Sequence, residues 1–103
     1  MFRINGESWG IFLVSPTHPI LATPDGNYAL GCCDDIRKGI FINDMLNPYY
    51  MKKVLCHEIV HAAMYSYNVF LDHDEEEVIA EIIATYGEEI IDITNNLFKN
   101  LRK

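Results

Sequence analysis

A chain of 103 residues is the length of one domain and supplies one modest core. Half of it is hydrophobic and 12% aromatic, a folding composition that excludes a disordered chain. Fifteen acidic residues against eight basic ones give a net charge of −7, from which a phosphate-neutralising patch is hard to build, so nucleic acid is not an expected ligand.

The first half reads as strand. Phe2 to Ile4 and Trp9 to Val14 are β-prone runs separated by NGES, whose Asn5-Gly6 pair favours a tight hairpin turn. SPTHP and ATPDGN then break the pattern and should be loops. Tyr28 to Cys33 and Gly39 to Asn43 are two further candidate strands, joined by the charged turn DDIRK. Cys32 and Cys33 are neighbours and Cys56 is remote, so the three cysteines make no disulfide framework. With a polar, turn-like opening and no apolar run near 18 residues, the expectation is a cytoplasmic chain without a membrane partner.

The second half changes period. Val54, Leu55, Ile59, Ala62 and Ala63 recur at helical spacing and predict one helix from Tyr49 to about Tyr67. NVFLDHD interrupts it. Asp72 or Asp74 can cap a last helix from about Glu75 to Leu101, whose early acids suit its positive end and which can slacken at Gly87. Strands first and helices second argue an α+β fold: a small, mostly antiparallel sheet of three or four strands under two helices, in a single domain over residues 1–103.

The chemistry concentrates in HEIVH, residues 57 to 61. Residues four apart share one helix face, so His57 and His61 present two nitrogens to one point, a fitting bite for a single zinc ion. Glu58 is one step on, about 100° around the helix, out of the ligand shell but near water beside the ion. A carboxylate there can take that water's proton and pass it to a leaving amine.

A catalytic zinc needs a third protein ligand, and the segment DHDEEEVIAEIIATYGEE offers several acids. With Ile79, Ile82, Ile83 and Ile90 packed on the core, Glu77 and Glu81 share a face beside the small Ala80 and Ala84. One of these two acids would bind the ion while the other orients a histidine. Glu77 is the preferred ligand and Glu81 the preferred outer partner, with the reverse left open. Glu75, Glu76, Glu88 and Glu89 read as a solvated face.

The segments GCCDDIRKGIFINDMLNPYYMKKVLCHEIVHAAMYSY and EEEVIAEIIATYGEEI resemble the ImmA/IrrE-like zincin metallopeptidases of phages and mobile elements, which follow a gluzincin plan. The resemblance implies zinc on His57 and His61, Glu58 as general base, a helix-borne Glu77 as third ligand, and hydrolysis of a peptide or protein substrate. It also implies a substrate lying along a sheet edge. Phe41, Ile42 and Asn43, in the strand feeding the active-site helix, are the expected edge.

Tyr65, Tyr67, Tyr86 and His73 are candidate donors to a transition-state oxygen. Cys56 and Trp9 read as core residues, and His18 as a loop residue. Two other readings compete with a peptidase: a zinc-stabilised protein-interaction module that does not cut its partner, and a metal-free helical hairpin on a sheet. An exposed last helix in so small a domain is compatible with a dimer.

Overall fold

Turn chemistry sets the first hairpin. In the computed structural model, which describes residues 1–102, β1 (Phe2–Ile4) and β2 (Glu7–Val14) are joined through Asn5 and Gly6, at φ 49° and 77°. Two successive positive φ values are what the tight hairpin turn needs, and Asn-Gly adopts them at little steric cost. The chain then leaves the sheet through a short 3-10 turn, Pro19–Leu21, which buries Leu21. β3 (Gly31–Asp34) and β4 (Gly39–Asn43) form a second hairpin, closed by Asp34 Oδ1 accepting from the N–H groups of Ile36 (2.9 Å) and Arg37 (3.1 Å). β3 is shorter than expected. Tyr28 makes an isolated bridge to Ala22 and lies outside it.

The four strands form one mixed sheet in the order β1-β2-β4-β3. The outer pairings are antiparallel, as the sequence suggests, but the central pairing of β2 with β4 is parallel. Composition explains which member of the second hairpin turns inward. GIFIN is apolar on both faces, as a central strand must be, whereas GCCD carries a charge at its end and suits an edge. Phe41, Ile42 and Asn43, the expected substrate edge, therefore lie inside the sheet, with β2 on one side and β3 on the other. The free edge on that side belongs to β3.

α1 (Pro48–Ser66) starts on an Asn47 cap, whose side chain accepts from Tyr50 N–H at 2.9 Å, with Pro48 in the first turn. It lies on one face of the sheet over a core of Trp9, Ile40, Ile42 and Ala62. Trp9 Nε1 donates to Ser66 Oγ at 3.0 Å and Asn5 donates to the Ser66 carbonyl at 2.9 Å, so the first hairpin ties down the end of the helix.

α2 (His73–Leu101) is capped by Asp72 and runs unbroken through Gly87. It packs on α1 through the fully buried Ala80 and the partly buried Ala84. Its large apolar residues do not join the core. Ile79, Ile82, Ile83 and Ile90, expected there, are between 36 and 52% exposed, because the alanines one residue on take the α1-facing line. Among the described residues, no helix is long and apolar enough to cross a membrane.

Candidate metal centre

Helical spacing puts His57, His61 and Tyr65 on one face of α1, and the crossing of α2 at Ala80 brings the acids of its first turns against that face. Glu77 sits between the two rings. Its Oε2 lies 3.1 Å from His57 Nε2 and its Oε1 lies 2.8 Å from His61 Nε2. The other nitrogens turn outward to separate acids: His61 Nδ1 is 2.6 Å from Glu76 Oε1 and His57 Nδ1 is 3.4 Å from Glu81 Oε2. Lys53 Nζ in turn holds Glu81 at 2.9 Å. That cation, by hydrogen bonding, lowers the Glu81 carboxyl from its usual range.

The two rings are wired differently. His61 donates Nδ1–H to Glu76 and so turns an Nε2 lone pair toward the Glu77 carboxylate, whereas His57 makes its hydrogen bond through Nε2, to Glu77, with Nδ1 3.4 Å from Glu81. A cation beside Glu77 would relieve the repulsion at His61 and could replace the Nε2 proton of His57. The three donor atoms lie within 4.8 Å of one another and can hold a metal ion. Zinc bonds of about 2.0–2.1 Å at the tetrahedral angle put neighbouring donors roughly 3.3 Å apart. The two imidazole–carboxylate separations, 3.1 and 2.8 Å, are close to that spacing. The His57 and His61 side chains are 18 and 12% exposed, so the site is largely shielded from solvent.

Glu58 stands beside this cluster and is 8% exposed. Burial pushes its carboxyl up, against the pull of His61 and His57, and Glu77 adds to the rise. Its second wall is β3. A Cβ on Gly31 would come 2.7 Å from Val54 Cγ1, 3.1 Å from Glu58 Cγ and 3.4 Å from Glu58 Oε2, so the strand can approach the helix here because residue 31 lacks a side chain. Cys33, on the same face, is buried enough to push its thiol up to about 12, which makes it an inert part of that wall.

The placement of the remaining candidates is uneven. Tyr65 is one turn beyond His61, with its hydroxyl pushed up by burial and by the charges around it, Glu76 included. Tyr67 and Tyr86 are mostly exposed, and His73 is exposed at the start of α2. Glu76 is the residue the pattern hides: it reads as solvated yet is 20% exposed and makes the shortest contact of the cluster. Its signal is its position immediately before Glu77, one step around a helix that must cross α1. Glu75 and Glu88 do remain outside, Glu88 in a surface ion pair with Lys52. No protein-family model, curated protein or solved structure matches this chain.

Proposed function

We propose that the chain is a zinc-dependent peptidase, with one ion on His57, His61 and Glu77 and with Glu58 as general base. The observation that carries this reading is the convergence of two Nε2 atoms and the Glu77 carboxylate beside a buried carboxylate, Glu58, on the helix of the two histidines. This is the reaction class implied by the resemblance to ImmA/IrrE-like zincins. Zinc bound there supplies Lewis acidity, polarising a peptide carbonyl and making nearby water more acidic.

The chain's own groups do the rest. Glu58, with its proton affinity raised by burial, accepts a proton from the attacking water and returns it to the departing amine. Glu76 holds His61 in the tautomer that leaves Nε2 free, and Glu81 stands near Nδ1 of His57, where it would accept that proton once Nε2 binds the ion. Tyr65 is the protein donor best placed for the developing oxyanion. An extended peptide is the fitting substrate, because β3 offers it an edge. Asn43 N–H bonds to the Leu30 carbonyl at 3.0 Å, and ladder alternation then turns the backbone groups of Gly31 and Cys33 away from β4. A substrate paired there would lie beside Glu58.

The depth of Glu58 supports a second reading, in which it is a fourth ligand and the ion holds together a non-catalytic interaction module. Exchange of Glu58 for Gln separates the two. A general base predicts zinc retained at one per chain and hydrolysis of a quenched peptide library lost by at least about 100-fold. Persisting hydrolysis rejects the peptidase. Loss of both zinc and activity makes Glu58 a ligand and favours the module.

A further inference from the structure

One face of α2, running through both of its halves, is apolar and open to solvent. Ile79, Ile83, Tyr86, Ile90, Ile93 and Leu97 follow one another at alternating steps of four and three, the 3.5-residue period of a coiled-coil seam. All six are between 36 and 57% exposed. The seam lies about 100° around the helix from the line of Ala80 and Ala84 that meets α1, so packing on α1 leaves it open. From Glu88 to Leu101 every residue is exposed, and the helix gives the molecule its long axis of 55 Å against 30 and 28 Å.

We infer that this seam is a self-association surface, on which the α2 helices of two copies pack side by side and antiparallel. The stripe is complementary to itself. With the twofold axis near Glu88, Ile79 of one copy meets Leu97 of the other, Ile83 meets Ile93, and Tyr86 meets Ile90, the a-to-d layers of an antiparallel pair. The helix ends select the direction. Asp74, Glu75 and Glu76 crowd the first turn while Lys99 and Arg102 lie at the last, so antiparallel copies bring opposite charges and opposite helix dipoles together. A parallel pair sets acids against acids.

The area is sufficient. The six seam residues with the flanking Ile82 and Leu101 each offer on the order of 100 Å², roughly the 800 Å² per partner of a standard interface. An occupant other than a second copy would have to reproduce the same seam, which this chain already carries.

Sedimentation of the purified chain over roughly 1 to 100 μM tests the inference. The expected result is a concentration-dependent rise from the monomer mass of 11.9 kDa towards twice that value. Ile90→Asp, and separately Leu97→Asp, should weaken association at least about tenfold, while Ile36→Asp, on the exposed β3–β4 turn, should leave it unchanged. The double change of Lys99 and Arg102 to Glu should weaken it several-fold by turning both helix ends acidic. A chain that stays monomeric at the highest concentration overturns the inference. So does a dimer untouched by Ile90→Asp and Leu97→Asp, whose contact must lie elsewhere, for instance at the exposed Ile11–Leu13 stretch of β2. A dimer indifferent to the Lys99 and Arg102 changes overturns the antiparallel arrangement.

Discussion

The two halves of α2 belong to one unbroken helix and use it in opposite ways. From His73 to Gly87, acids and small residues face α1: Glu76, Glu77 and Glu81 reach the histidines, and Ala80 is fully buried at the crossing. From Glu88 to Leu101 every residue is exposed, the Glu88–Lys52 ion pair is a surface one, and the isoleucines stand in water. The usual division of polar outside and apolar inside is reversed along a single element. Its first half is fastened mainly by polar groups that could hold an ion between them and by Ala80, and its second half buries no residue against its own chain.

On the proposed metal site, the largest break in that comparison is removal of the ion. Four carboxylates, those of Glu58, Glu76, Glu77 and Glu81, surround two imidazoles, and without a dication their mutual repulsion loosens the first half of α2. At an ion concentration about 1,000-fold above its dissociation constant, binding contributes about 4 kcal/mol, which for a domain near this size is roughly 15–30 °C in Tm. Chelation, or His61→Ala, should remove that increment in a thermal scan. An unchanged Tm would mean that the first half holds itself and differs little from the second.

Next is Ala80→Leu. A larger side chain at the buried crossing must push α2 off α1, at a cost of about 1–3 kcal/mol in a denaturant titration, and must withdraw Glu77 from the histidines. Metal affinity should fall with stability. Glu76→Ala comes third, with a loss of about 10–100-fold in affinity by competition titration, because His61 then loses the partner that fixes its tautomer. Glu89→Ala, also on α2 but exposed, should leave affinity unchanged.

Local signals were legible where local chemistry decides. Asn5-Gly6 specifies its turn, Asp72 caps α2 through Glu75 N–H at 2.9 Å, and the two histidines of HEIVH must share a face once α1 is a helix. What stayed hidden depends on assembly. The two apolar faces of GIFIN suit a central strand, but nothing within it states that its inner neighbour is β2 or that the two run parallel. The role of Glu76 likewise appears when α2 crosses α1 at a particular angle, which spacing along one helix does not specify. The isoleucine period is plain in the sequence, but a period marks a face and not what covers it. Reading Ile79, Ile82, Ile83 and Ile90 as core assumed that the largest apolar residues face inward, whereas close approach selected the small ones.

The smallest expected effect tests that last point. Ile93 is half exposed on the outer seam, and isoleucine and serine have nearly equal helix propensities. If the second half of α2 is unsupported by its own chain, Ile93→Ser should change the stability of the dilute monomer by no more than about 0.5 kcal/mol. Ala80→Leu, on the same helix and conservative in polarity, should cost several times more. The contrast sharpens with concentration: where chains associate, Ile93→Ser should begin to lower apparent stability, because the side chain then has a partner to lose. A loss above about 1 kcal/mol in dilute solution would place Ile93 against this chain's own body and erase the distinction between the halves.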